Sequence, residues 1–429
     1  MYQVTDEQII EILKQEAVPA LGCTEPVACA LACARCREEL GGVPEKIEVW
    51  VSGNIYKNGM GVGIPGSGMT GLPIAAALGA VCGKTEYGLE VLKEVSQCNH
   101  LSVAKELIDR GAVSIYLKED AADKLYAEAI CSLGKDTVRT VILYAHTNII
   151  CVEKNGRILY KKEYTAVADQ TPGRPELSVE RIWKFIQEVD FSRIEFVLQG
   201  AEMNKEISTE GLKSAYGLQI GRTLQENIEK GVLEDDLLNN ALIRATAASD
   251  ARMDGCEKPV MTNSGSGNQG ITVILPVVVA AEHFGSSREQ LARGLALSNL
   301  IAAHIHYYLG HLSALCGILI AGTGSASAIT YLMGGDYEKV VNTIKTMCSN
   351  LTGMMCDGAK QGCALKVYSG VSAAVQAALL SMRGIQTQND GIIEDDIEKT
   401  IRNVGLIGTA GMEQTDRTIL DIMCRKGKQ

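Results

Sequence analysis

From Gly294 to Gly335 the chain carries no Asp, Glu, Lys or Arg. A run of that length has to be buried, either in protein or in lipid, and it is long enough to cross a bilayer twice. It also contains Asn299, His304, His306 and His311 among many Ser, Thr and Gly, and it lacks basic flanking loops. Membrane spans are oriented by such loops and avoid such polar residues. The run therefore reads as buried helices in a large globular body, with no membrane as partner.

That body has few large side chains to fill it. The chain has 429 residues, with aromatics at 5%, 4 Phe, 2 Trp and 44 Gly. Its core has to be built from Ala, Leu, Ile and Val on closely approaching backbones, and its length makes two domains the default and allows three. The net charge of −10 disfavours nucleic acid, whose phosphates need a basic surface. The N-terminal MYQVTDEQIIEILKQEA is acidic and amphipathic, unlike a signal peptide. With 14 cysteines and no export signal, the expectation is reduced thiols in a cytoplasm.

Helix signals open the chain at Thr5–Gln15 and return at Pro26–Leu40, after the VPALGCTEP break. The segment from Gly53 to Gly68 reads as loop, strand and loop. Its glycines match no phosphate-binding pattern, although Asn54, Lys57 and Asn58 suit a small anion as well as a tight hairpin. Thr70–Cys82 and Ser102–Arg110 read as helices and Ala121–Ile130 as helical or irregular. Thr137–Tyr144, Asn148–Glu153 and Arg157–Glu163 read as consecutive strands, with Asn155–Gly156 as a hairpin turn. Gln170–Pro175 is the best linker, and beyond it the pattern is helical to the end, including Leu212–Lys230, Asp235–Met253, Arg288–Gly310, His311–Met333 and Ser369–Arg383. The fold class expected is α+β. A large, mostly α-helical domain (1–42 plus 176–429) carries an inserted, smaller α+β domain (43–175).

Cysteines offer the strongest metal chemistry. Cys356 and Cys363 lie seven residues apart in the Gly-rich LTGMMCDGAKQGCALKV, and Cys316 stands forty residues upstream. Three soft ligands from two segments suggest an iron–sulfur centre. Cys29, Cys33 and Cys36 share a helical face of small residues and read as core. Cys23 sits instead in the polar loop before that helix. The NSGSGN run at Asn263–Asn268 puts backbone N–H groups and hydroxyls ahead of an apolar helix, which suits a carboxylate. His304 and His311, on one helical face, read as core residues rather than as a base.

Four ordered blocks now carry a resemblance: GCTEPVA at Gly22–Ala28, SGNIYKNGMGVGIPG at Ser52–Gly66, NSGSGNQGI at Asn263–Ile271, and the trio Cys316, Cys356, Cys363. Together they resemble the iron–sulfur L-cysteine desulfidase family, related to the α-chain of iron–sulfur L-serine dehydratases. The resemblance implies a [4Fe–4S] cluster held by Cys316, Cys356 and Cys363. Cys23 stands at the fourth iron, with Cys424 the alternative. It implies no pyridoxal phosphate. The substrate is a small amino acid, L-cysteine or L-serine, gripped by Thr24, Asn54, Asn263, Ser264, Gly265, Ser266, Gly267 and Asn268. Glu25 and Lys57 are the candidate catalytic groups. The expected activity is L-cysteine desulfidase, releasing pyruvate, ammonia and hydrogen sulfide, from a homo-oligomer. An L-serine dehydratase is the alternative, and an iron–sulfur sensor or non-catalytic binding protein the rival from another class.

Overall fold

The computed structural model describes residues 4–162, 177–310 and 313–426. It is α+β with helices dominant. One six-stranded sheet runs in the order Val113–Leu117, Lys46–Val51, Tyr126–Leu133, Asp136–Leu143, Ile149–Lys154, Arg157–Lys161. Only the first pair is parallel. Its crossover is long enough to hold the helices Gly53–Gly59, Leu72–Cys82 and His100–Asp109. Asn155 and Gly156 both take positive φ, as a two-residue hairpin turn requires. The expected linker at Gln170–Pro175, the end of the last strand at Glu163, and His311 lie outside the described residues.

Two expectations in this module are corrected. Tyr126–Leu133 is a strand. It pairs on both sides, so Tyr126, Ala127, Glu128 and Ala129 are all buried and no polar alternation marks it. Its buried Glu128 is held by Tyr126 Oη at 2.7 Å and Arg139 Nε at 2.5 Å. The Gly-rich segment opens as a helix, Gly53–Gly59, because Ser52 Oγ caps it by accepting from Ile55 N–H. The hairpin reading holds only further on, where Gly63–Ile64 pairs with Met69–Thr70.

The Thr24–Leu40 helix packs on the sheet, and its Val27, Leu31, Cys33 and Cys36 share a core with Ile47, Val49, Leu78 and Cys131. By packing, the Thr24–Leu40 helix thus sides with the sheet. Cys29, Cys33 and Cys36 are fully buried here; Cys36 Sγ donates to Thr140 Oγ1 at 3.3 Å.

The helical body holds the uncharged run. Arg288–Leu309 and Ile318–Leu332 are separate helices, and the second is buried from Ile318 to Thr330. They approach so closely that a Cβ on Gly324 would stand 2.3 Å from Ser298 O, as the scarcity of large side chains requires. The second helix starts later than expected, because Leu315 pairs with Met355 as a short β-bridge. Leu212–Lys230 is likewise broken: one helix ends at Lys213 and the next begins at Ile220. Cys363–Met382 is the one described helix long and apolar enough to cross a membrane, and half of it is buried inside the fold.

Candidate active site

Two short ladders bring the sequence blocks together. Pro19–Ala20 pairs with Val260–Met261, and Thr262 N–H and Ser264 N–H continue the register onto Val18 O and Glu16 O. This sets Gly22–Glu25 beside the Asn263–Asn268 turn, where Thr24 Oγ1 donates to Gly265 O at 3.1 Å. In that turn Asn263 and Ser266 exchange both backbone bonds, and Ser264 and Gly265 take positive φ. The second ladder is the Leu315–Met355 bridge. Cys316 N–H donates to Met354 O at 2.8 Å and Cys356 N–H to Ala314 O at 2.6 Å, so the two cysteines are fixed as neighbours. Cys363 follows as the first residue of its helix.

One cavity of about 150 Å³ results, and Cys23, Cys316, Cys356 and Cys363 all line it. Four helices start at its wall: Thr24–Leu40, capped at Cys23; Gly267–His283, capped by Ser266; Ile318–Leu332; and Cys363–Met382. Each contributes the positive end of a helix dipole. Two cations add to them. Arg252 is buried among the lining residues, and Lys366 donates to Met355 O at 2.8 Å and Asp357 Oδ1 at 2.7 Å.

The thiols sense one another. Burial pushes Cys316 up to about 12, the charge of Cys356 adds to that, and Lys366 opposes it. Burial likewise raises Cys363, with Cys356 adding and Lys366 and Arg252 opposing. Cys23 is pushed up to about 12 by burial, against the pull of Arg252. As free thiols they are protonated, so binding iron must displace those protons. The donor set fits an iron–sulfur cluster in kind: soft sulfur ligands in a cavity rimmed by positive charge. Among the described residues no three His, Cys, Asp or Glu side chains close on a single metal ion. A cluster spaces its ligands more widely than one ion does.

The expected substrate groups divide. Thr24, Glu25, Ser264, Gly265, Ser266 and Asn268 line the cavity. Asn263 lies behind it, donating to Asn299 Oδ1 at 3.1 Å, and Gly267 packs against Arg252. Lys57 and Asn54 are not among the lining residues. Both bind Asp416 of the C-terminal helix Glu413–Lys426, at 2.5 and 2.9 Å. Cys424 lies on that helix, near enough for its charge to act on Tyr56, and does not line the cavity. His304 is buried against Glu398 at 2.7 Å.

Sequence reasoning missed Arg252, Lys366, Gln269, His146 and His306, all of which line the cavity. Arg252 and Lys366 look like ordinary cations near helix ends, and His146 lies in a strand connection. For Arg252 the one available signal is its place in a helix otherwise rich in Ala and small polar residues.

A family model described as serine dehydratase alpha chain matches residues 86–421. The chain is 48% identical over 422 residues to a UPF0597 protein of Phocaeicola vulgatus, covering 98% of each. It is 47% identical over 430 residues to one of Parabacteroides distasonis, covering 99% of this chain and 100% of that relative. A UPF0597 protein of Aeromonas hydrophila is 43% identical over 427 residues, covering 97% of this chain and 96% of its own length. The arginine, the turn and the cysteine trio fall inside the matched family span; Cys23, Thr24 and Glu25 precede it.

Proposed function

This chain belongs to the serine dehydratase alpha chain family, and on that premise we propose that it is a lyase performing β-elimination on L-cysteine. The observation that carries this is the meeting of four cysteines, drawn from three separate segments, in one cavity ringed by helix N-termini and cations. Cys316, Cys356 and Cys363 would hold a [4Fe–4S] cluster, and Cys23, which lines the same cavity, would be available as a further thiolate ligand. When bound, such a cluster offers a Lewis-acidic iron toward the leaving group or carboxylate.

The chain's own residues do the rest. The Ser264–Ser266 turn and Asn268 present hydroxyl, backbone and amide groups that orient a small polar substrate. Thr24 Oγ1, bonded to Gly265 O, fixes the GCTEP loop against that turn. Glu25 is the carboxylate on the cavity wall, suited to pairing with the substrate's charge or to accepting the proton leaving Cα. Loss of that proton and of hydrosulfide leaves aminoacrylate, which water converts to pyruvate and ammonia. The family description favours a second reading, with L-serine as substrate and water as the leaving group.

Anaerobic purification followed by iron and sulfide analysis, then pyruvate assays with L-cysteine and with L-serine, tests both readings. Pyruvate and sulfide from L-cysteine are expected. Turnover of L-serine alone favours the second reading. A protein without a cluster after anaerobic reconstitution overturns both, and a cluster without turnover of either amino acid points to a sensor.

A further inference from the structure

Arg252 is 5% exposed, and among the described residues its hydrogen bonds go to an amide and a backbone carbonyl, not to a carboxylate. Its guanidinium meets two neutral oxygen acceptors, Asn268 Oδ1 at 3.2 Å and Gly22 O at 3.1 Å, and lies against the Cys23 thiol. Its Nε–H is buried with no acceptor. The chain makes specific room for this group: a Cβ on Gly267 would stand 2.1 Å from Nε. A buried, unpaired cation is costly to maintain, and sites that keep one meet an anion there.

Asn58 has the opposite character on the same cavity. It is 8% exposed, and its Nδ2 donates to Glu25 Oε1 at 2.9 Å. A carboxylate oxygen accepts only, so this bond settles which way the amide points. Asn58 Oδ1 is then a buried acceptor without a donor. Beside it stands the Glu25 carboxylate, whose other oxygen lies 3.2 Å from Thr24 Oγ1 and shares that hydroxyl with Gly265 O. Arg252, Asn58, Glu25 and Cys23 all line the one cavity, so both poles face the same space.

We propose that Arg252 and the Asn58–Glu25 pair form a zwitterion-reading site, with Arg252 binding an α-carboxylate and Asn58 Oδ1 with Glu25 binding an α-ammonium. The site selects free α-amino acids and rejects thiols or alcohols lacking either charge. This rests on the reading of the cavity as an amino-acid site and adds the residues that set its selectivity.

L-alanine, which has no β-leaving group, reads the site without chemistry. Calorimetric binding to the full-length protein is compared for L-alanine, L-alaninamide and propionate. The wild type is expected to bind L-alanine well above both one-charge analogues. Arg252→Gln should weaken L-alanine by roughly ten- to a hundredfold, the scale of a lost charge-assisted hydrogen bond, and leave L-alaninamide unchanged. Asn58→Leu should weaken L-alanine and L-alaninamide alike. Where Arg252→Gln fails to fold, Arg252→Lys is expected to weaken L-alanine more than L-alaninamide. Absence of a wild-type preference for L-alanine, or wild-type affinities in Arg252→Gln or in a folded Arg252→Lys, would overturn the proposal. A wild type with neither cluster nor turnover that still binds L-alanine through Arg252 would remove the lyase reading alone.

Discussion

Gly358 has almost no room for any other residue. Its φ is +97°, and a Cβ there would stand 2.2 Å from Lys57 O, two residues beyond Cys356. Gly358→Ala therefore combines backbone strain of about 1–3 kcal/mol with a clash against main chain that cannot swing away. Denaturant unfolding should report a loss of at least that size, and the anaerobically prepared variant should hold less iron. An unchanged midpoint and full iron would show that the loop relaxes freely. The cysteines themselves separate by role. Cys356→Ala should abolish the cluster, whereas Cys23→Ala should leave a cluster of altered stability or turnover; wild-type behaviour of Cys23→Ala in iron content and pyruvate formation would remove Cys23 from the site. At this scale the sequence singled out four cysteines that line the cavity and passed over two of its cations. Cysteines announce themselves because a thiol that merely fills a core has few reasons to sit in a polar Gly-rich loop. Arg252 does not, because a cation near a helix C-terminus is also what the helix dipole favours.

The elements meet through side chains that bridge breaks in the pattern, and Asp250 is the clearest. It lies on the Leu237–Met253 helix and is almost wholly buried. Its carboxylate accepts from Leu218 N–H at 3.2 Å and Ile220 N–H at 2.7 Å, and so pins the turn that interrupts the expected Leu212–Lys230 helix. That break is invisible to apolar periodicity, which continues across it. Burial raises Asp250 to about 6, against the backbone bonds that favour its charged form. The folded state thus holds a proton that the unfolded chain has already released. Its contribution to stability falls as pH climbs from the ordinary carboxylate range through about 6. Asp250→Asn has no such proton to lose. Relative to wild type, its unfolding free energy should therefore rise steadily across that window, read by urea unfolding at a series of pH values. A constant difference would mean that the backbone bonds hold Asp250 at its ordinary value. Tyr126–Leu133 teaches the same lesson for strands: pairing on both edges and burial on both faces erase the alternation by which a strand is read.

On the scale of the whole molecule, the α+β class with helices dominant was legible, because apolar period and hairpin signals change together. The allegiance of Thr24–Leu40 was not. An Ala- and Cys-rich helix carries no mark of which neighbour it packs on, and here it joins the sheet core. A similar ambiguity attends Lys57. The sequence reading gives it a part in the chemistry, whereas its ammonium is 2% exposed and sits 2.5 Å from Asp416 Oδ1, away from the cysteine cavity. Asn54 Nδ2 takes the other oxygen at 2.9 Å. The pair fastens the C-terminal helix to the Gly53–Gly59 helix, and so one end of the chain to the inserted module. Asp416→Ala would leave a buried ammonium unpaired, a change that costs about 3–5 kcal/mol when a buried pair loses one partner. Because the bond joins elements rather than filling the cavity, the damage should appear first as release of the C-terminal helix. Limited proteolysis should cut within Glu413–Lys426 well before the rest of the chain, while Cys316, Cys356 and Cys363 still assemble their iron. Turnover per cluster should then fall less than resistance to protease. If turnover collapses while the helix stays protected and the unfolding midpoint is unchanged, Lys57 acts in the reaction itself, and its distance from the cavity in this structure is not the distance at which it works.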